Sequence, residues 1–191
     1  MLIVSGCATL PPPSAQPPTS SNINQKHLAT LANIKSFSLK GRLGVVTNPR
    51  GFSGGIDWQH ETTNDNIDVF SPVGGKVANI VKNPNGVTLT TQDGRSINGQ
   101  NAESLTETTM GWRLPLSGLS DWALGKPTSS KIDASTWDDQ GRLITLKQDG
   151  WDIEYQNYAE NNGYFLPNKI ILKSEKANLK LLVENWLTLG N

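Results

Sequence analysis

Apolar and polar positions alternate along most of the chain from residue 36 onward. This period-2 pattern is typical of a strand with one face toward a core and the other toward solvent. In the first such run the residues on one face are Phe37, Leu39, Gly41, Leu43 and Val45. We therefore predict a strand here, with this face directed inward.

Further alternating runs predict additional strands joined by short turns. The runs cover residues 52–60, 67–70, 77–81, 87–91, 143–148, 151–155, 170–172 and 179–186. Asp93-Gly94 and Asp149-Gly150 are strong hairpin turn sequences. Because short turns join neighbouring strands, the pairing should be mostly antiparallel. The pattern predicts a mainly β protein of about ten strands.

Three helices are predicted between and before these strands. The first covers about residues 25–34, and the second covers residues 102–110 with Asn101 as its N-cap. The third begins at Pro115 and ends before Gly125, with Pro127 just beyond it, which is the usual placement of these residues at helix ends. Two helices within a run of hairpins predict a sheet whose opening is covered by helices.

Composition narrows the possible classes of protein. The 191 residues suit one domain, and 17 basic residues balance 17 acidic ones. This balance argues against a nucleic-acid binder, which needs a basic surface. With one Cys and two His, we expect neither a disulfide framework nor a metal site. The chain has no apolar run long enough for a transmembrane helix.

The single cysteine, Cys7, follows an apolar residue and two small residues, Val4-Ser5-Gly6. This order resembles the lipobox of bacterial lipoproteins, in which the Cys becomes the acylated N-terminus. A complete signal peptide also needs a basic region and a longer apolar segment, so we expect coding sequence upstream of Met1. The alternative is a chance Cys at the start of the chain.

A segment rich in Pro, Ser, Thr and Gln follows Cys7. Such a composition cannot bury a core and suits an extended spacer. We therefore divide the chain into a signal-peptide remnant (1–6), a lipidated Cys with a Pro-rich tether (7–25) and a globular domain (26–191).

Candidate catalytic and metal-binding patterns are weak. Residues 51–55 match G-x-S-x-G around Ser53, but the pattern continues as a strand, whereas a nucleophile elbow requires a helix. His27 and His60 lack partners at ligand spacing. Asp138 and Asp139 lie in a turn sequence. We predict no catalytic residue, no metal site and no enzyme activity.

Two features suggest binding. Six Trp residues in a β-rich domain suit either a packed core or an apolar cavity. The loop Pro72-Val73-Gly74 places an aliphatic side chain where loop tips are usually polar. Val73 is either exposed for a purpose or folded back against its own sheet.

Taken together, these residues resemble the LolB family of bacterial outer-membrane lipoproteins, over nearly the whole chain. The stretches that match are 41–43, 52–58, 72–74, 111–127, 150–151, 166–170 and 179–181. The most specific of them is Leu114-Pro115-Leu116 followed by Leu119, Trp122, Gly125 and Pro127. Val73 is smaller than the residue that the family usually has in this loop, which is Leu.

The resemblance implies an open, half-closed antiparallel β-barrel of about ten or eleven strands, with a few helices covering the mouth. Its apolar cavity would take the acyl chains of lipoproteins delivered by a periplasmic LolA-like carrier. Our cavity candidates are the inward residues Leu43, Val45, Phe52, Ile56 and Trp58. The loop of Pro72, Val73 and Gly74 would aid insertion of the cargo into the membrane.

The same resemblance implies a monomer anchored by lipid on Cys7 to the periplasmic face of the outer membrane, among its phospholipids. No nucleic acid and no cofactor besides this covalent lipid are expected. Ala8 after the Cys favours the outer membrane, because Asp there is the usual inner-membrane signal. Two alternatives remain: an outer-membrane lipoprotein that binds another lipid, and a tethered assembly scaffold without a cavity.

Overall fold

A computed structural model describes residues 20–48 and 51–190 of the chain. Cys7 and the tether up to residue 19 lie outside the described residues. The helices are α1 (Ser20–Leu31), α2 (Ala102–Met110) and α3 (Leu116–Ala123). The strands are β1 (Ser36–Thr47), β2 (Gly51–Glu61), β3 (Asn64–Phe70), β4 (Lys76–Asn83), β5 (Gly86–Thr91), β6 (Ser96–Gly99), β7 (Ile132–Trp137), β8 (Leu143–Gln148), β9 (Trp151–Asn161), β10 (Tyr164–Lys173) and β11 (Ala177–Gly190).

The described strands form one antiparallel sheet in the order β6-β5-β4-β3-β2-β1-β11-β10-β9-β8-β7. The first and last strands of the chain, β1 and β11, pair in the middle of the sheet. β6 and β7 are its two edges and do not pair with each other, so the sheet is an open half-barrel. The predicted fold class is confirmed.

Antiparallel order places the turns alternately at two ends of the sheet. We name the end with the turns after β1, β3, β5, β8 and β10 the upper end. The turns after β2, β4, β7 and β9 lie at the lower end. α1 precedes β1 and lies at the lower end, where Ile23 contacts Gly141 in the turn between β7 and β8.

The inner face of the sheet carries the core. In β1 the residues at alternate positions from Phe37 to Val45 are buried, as the alternation predicted. Gly41 and Gly54 also lie buried on this face. At both positions the backbone of a neighbouring strand approaches too closely for a side chain. A Cβ on Gly41 would lie 2.1 Å from the carbonyl oxygen of Leu182, and one on Gly54 would lie 1.9 Å from that of Phe70.

Two predicted helices and both predicted hairpin turns are confirmed. The side chain of Asn101 accepts a hydrogen bond from the N–H of Ser104, so it caps α2. Asp149 and Gly150 both have positive φ angles, as a tight two-residue hairpin requires.

The predicted bounds of the first helix were wrong. We expected residues 25–34, whereas α1 runs from Ser20 to Leu31. The final residues assigned to the tether, 20–25, are therefore helical. Their polar composition carries little of the apolar periodicity on which the prediction depended, while Ile34 is buried in the turn that leads into β1.

Candidate functional site

The loop between β3 and β4 at the upper end presents one aliphatic side chain to solvent. The N–H of Ser71 donates to the carbonyl of Gly75 at 2.7 Å, and the N–H of Gly74 donates to that of Ser71 at 2.9 Å. Gly74 has a φ of 91°, which favours glycine. Val73 is 95% exposed at the tip. It does not fold back against the sheet.

The basic residue beside this loop is already paired. Lys76 Nζ lies 2.8 Å from Asp68 Oδ2, and Asn79 donates to the other carboxylate oxygen at 2.8 Å. The pair is half exposed, so it has little effect on stability. It leaves no unpaired charge on Lys76 beside Val73.

An opening of about 460 Å³ lies at the upper end on the inner side of the sheet. Its size is within the usual range for a small-molecule site. Phe52 and Trp112 stack against each other in its lining, with ring centroids 6.1 Å apart. The lining residues are Val45, Thr47, Gly51, Phe52, Val77, Ala78, Thr91, Thr109, Met110 and Trp112. Most of this lining is apolar, which suits an alkyl chain.

The five predicted cavity residues do share one face. Val45 pairs with Phe52 across β1 and β2, and both line the opening. Leu43, Ile56 and Trp58 lie deeper along the same face, each at most 2% exposed, in the packed core. Trp112 and Met110 were not predicted as part of the lining, because Trp112 lies in the segment between α2 and α3 and Met110 is the last residue of α2.

The two helices on the inner side are tied to each other by polar contacts. Glu103 of α2 accepts hydrogen bonds from the N–H and the hydroxyl of Ser117 in α3. The hydroxyl of Thr106 accepts from the N–H of Leu114 at 3.0 Å. Against the sheet, α3 packs largely through apolar residues and the hydrogen bond from Trp122 to Gln148. The helices can therefore act as one cover.

A larger groove of about 950 Å³ also lies at the upper end, beside residues 113–117 and the turns after β8 and β10. Its lining includes Glu103, Arg113, Lys147, Asp149 and Lys173. Burying an alkyl chain against these charges would cost free energy. Of the two openings, the smaller one suits an acyl chain.

The weak catalytic and metal-binding patterns can be located in the described structure. Ser53 lies exposed within β2, whereas a nucleophile elbow would place it between a strand and a helix. The part of the chain covered by residues 20–48 and 51–190 contains no cluster of His, Cys, Asp or Glu able to hold a metal ion. Within the same ranges, the helices are too short or too polar to cross a membrane.

Comparison with known proteins identifies the family. A family model described as "Outer membrane lipoprotein LolB" matches residues 35–186. The chain belongs to the LolB family. It is 36% identical over 190 residues to the outer-membrane lipoprotein LolB of Nitrosomonas europaea, covering 97% of this chain and 88% of that protein. LolB of Nitrosococcus oceani is 32% identical over 189 residues, covering 97% and 92%.

Among solved structures, a LolA superfamily protein from Nitrosomonas europaea has a similar fold. The TM-score is 0.51 at 12% identity, covering 92% of this chain and 95% of that one. At this identity the likeness concerns the fold alone. Membership of the LolB family makes the chain a lipoprotein-localisation protein and not an enzyme, as predicted.

Proposed function

We propose that this protein accepts lipoproteins from a LolA-like carrier and inserts them into the inner leaflet of the outer membrane. It acts as a monomer at the periplasmic face and needs no cofactor besides the lipid on Cys7. The observation that carries the proposal is the shared position of two features. The apolar opening lined by Phe52 and Trp112 and the exposed Val73 both lie at the upper end.

The energetics of an acyl chain explain why a protein is needed. Each methylene group contributes about 0.8 kcal/mol when it leaves water, so one chain left in water costs on the order of 10 kcal/mol. The chains must therefore pass directly from one apolar site to another. An opening beside the membrane-facing loop allows that transfer without exposure to water.

The opening has room for only part of the acyl chains of a lipoprotein, and movement of the helices would provide the remaining volume. A lipoprotein with about three acyl chains needs more room than about 460 Å³. Leu116, Leu119 and Trp122 of α3 fill the inner side of the sheet. If α2 and α3 move together, acyl chains can replace these apolar side chains at little net cost. Leu43, Ile56 and Trp58 then become cavity walls.

Val73 contributes the contact with the membrane. Moving one exposed Val into an apolar phase contributes about 1–1.5 kcal/mol, roughly a tenfold effect on partitioning. This is weak alone, so it matters only because the lipid on Cys7 keeps the domain near the bilayer. Several acyl chains on one residue are sufficient for stable anchoring.

The length of the tether is compatible with this orientation. α1 begins at the lower end, whereas Val73 lies at the upper end. Thirteen residue steps separate Cys7 from Ser20 and can span at most about 45 Å. β2 has 11 residues, which corresponds to a length of about 35 Å. Cys7 can therefore reach a membrane that Val73 contacts.

A reconstituted transfer assay that measures uptake and release separately tests the proposal. Val73→Glu should take cargo from the carrier at the normal rate but release it to vesicles about tenfold more slowly, because a charge opposes entry into the bilayer. Val73→Leu should release at least as fast as the unmodified protein. Leu187→Glu is the matched control, an exposed aliphatic residue near the lower end.

Two results would contradict the proposal. If Val73→Glu blocks uptake, or if it changes neither step, the loop does not deliver cargo. If the unmodified domain binds no acyl chain, the protein is a scaffold without a working cavity.

A further inference from the structure

A buried charged network lies on the inner face at the lower end, in line with the opening. Trp58 and His60 are the last inward residues of β2, and His60 pairs with Asp65 across β3. Asp65 pairs in turn with Lys82 of β4. The network is thus one layer across three neighbouring strands.

Asp65 is the centre of this network. Its Oδ1 accepts a hydrogen bond from Trp58 Nε1 at 2.9 Å and lies 2.7 Å from His60 Nδ1. Its Oδ2 lies 3.3 Å from Lys82 Nζ. The carboxylate is fully buried, while the side chains of His60 and Lys82 are 13% and 30% exposed. Burial opposes its ionisation, but the hydrogen bonds from His60 and Trp58 and the nearby positive charges outweigh it and lower the pKa of Asp65.

One buried donor beside this network has no partner. Trp186 packs edge-on against Phe37, with ring centroids 5.5 Å apart, and Phe37 stacks on His60 at 5.0 Å. Among the described residues, the Nε1 of Trp186 is buried without a hydrogen-bond acceptor. An unpaired buried N–H is unfavourable, so an acceptor reaching this layer would stabilise it.

The distance from the opening to the network corresponds to a definite chain length. Six residue steps along β2 separate Phe52 from Trp58, which is about 20 Å. An extended alkyl chain advances about 1.3 Å per methylene, since its C–C bonds zigzag. A chain of about fifteen or sixteen carbons would therefore extend from the opening to the network. A longer one would have to displace buried hydrogen-bonded charges.

We propose that the network of Trp58, His60, Asp65 and Lys82 is the polar floor of the acyl-chain compartment and limits the length of chain that it accepts. This inference rests on the proposed acyl-chain binding. The apolar layers between Phe52 and Trp58 take the chain, and the floor stops it. These residues are specificity determinants and do not contact the polar part of the cargo.

The first test measures binding of saturated fatty acids, from dodecanoic to eicosanoic acid, by displacement of a fluorescent probe. In the unmodified domain, affinity should rise about fourfold per methylene up to about hexadecanoic acid and then stop rising. A floor made wholly apolar should extend that rise to the longer acids. The variant combines Trp58→Phe, His60→Leu, Asp65→Leu and Lys82→Leu, so no buried partner is left unpaired.

A second measurement needs only the unmodified protein and therefore does not depend on the folding of the variant. A terminal hydroxyl buried without a partner should weaken binding of ω-hydroxydodecanoic acid about tenfold or more relative to dodecanoic acid. The hydroxyl of ω-hydroxyhexadecanoic acid should reach the floor, where Asp65 can accept its hydrogen bond. Its affinity should stay within about threefold of that of hexadecanoic acid.

The outcomes separate this inference from the proposed function. If no acid binds at any length, acyl-chain binding itself fails. If binding occurs but affinity rises steadily to eicosanoic acid, or if the hydroxyl is equally costly at both lengths, only the floor is wrong. A folded apolar variant that keeps the unmodified length limit would also overturn the inference.

Discussion

The upper and lower ends of the half-barrel are built from the same alternating strands, but the inward residues at the two ends differ in polarity. At the upper end, the inward residues Val45 of β1 and Phe52 of β2 line an apolar opening. At the lower end, the inward layer holds Asp65 and His60, with α1 across that end. Alternation therefore builds a continuous inner face, while a few residues in the last layer decide which end is open.

The largest effect, on the rate of cargo delivery, is expected when the tether that joins Cys7 to the lower end is shortened. Deleting residues 9–14 would shorten the span between Cys7 and Ser20 to about 24 Å, less than the length of β2. The anchored protein should then deliver cargo at least tenfold more slowly, because Val73 no longer reaches the bilayer. Release into vesicles measures this. A variant in which residues 9–14 are replaced by six Gly and Ser residues should deliver normally. Equal rates for the two variants would show that the length of the tether does not limit delivery.

A charge midway along the inner face should unfold the domain or abolish acyl binding. Ile56 is 1% exposed, so Ile56→Asp buries an unpaired carboxylate and costs several kcal/mol. Urea unfolding and probe displacement measure the two effects. Gln59→Asp in the same strand is the exposed control. A folded Ile56→Asp variant that binds normally would show that the inner face is misassigned.

Removing the centre of the lower network should destabilise the fold by about 2–4 kcal/mol. Asp65→Ala leaves Trp58 Nε1 without its acceptor and Lys82 without its counter-charge. Asp68→Ala, which removes the more exposed partner of Lys76, should cost less than about 1 kcal/mol. Urea midpoints of the two variants compare the buried and the exposed carboxylate directly. Equal losses would mean that burial of the network contributes nothing.

The lower end should also lose stability in mild acid. Burial lowers the pKa of His27 in α1, although Asp138 partly opposes this, and its Nε2 is buried without a partner among the described residues. The folded state therefore binds this proton less readily than the unfolded chain. Stability should fall as the pH drops below 6.5, the ordinary histidine value, towards the lowered pKa.

Urea unfolding of two variants across this pH range tests the assignment. His27→Phe should flatten the dependence, whereas Lys26→Gln, which changes an exposed neighbour, should not. If His27→Phe keeps the full dependence, another group is responsible.

The smallest expected effect is on the stability of the upper end. Because Val73 is 95% exposed and packs against nothing, Val73→Glu should change the free energy of unfolding by less than about 0.5 kcal/mol. Thermal unfolding should therefore match that of the unmodified protein even where delivery is slow. A large loss of stability would mean that the loop packs against the fold in solution.

Much of the fold could be predicted because strand alternation and turn residues are local signals. The inward face of β1, the cap Asn101 and the turn Asp149-Gly150 agree with their predictions. The edge strands β6 and β7 were missed. Most of their residues are exposed, so they lack the apolar alternation that marks a half-buried strand.

The candidate site was predictable only in part. Val45 and Phe52 were predicted from their place in the alternation and do line the opening. Trp112 was not, because its position depends on how the segment between α2 and α3 folds back over the sheet. The buried network around Asp65 could not be predicted either, since nothing in the neighbouring residues shows that Trp58 and Lys82 surround it.

The sequence by itself determined the inward face, the turns and the family, since each depends on residues close together in the chain or on their order, whereas the exposure of Val73 was decided by the structure. Only the tertiary structure decided which end is open and which is closed. That outcome depends on contacts between distant segments, such as α1 with the turn at Gly141 and Phe52 with Trp112. Burial of a charge such as Asp65 likewise depends on partners in other strands, because only they can offset the cost of removing it from water.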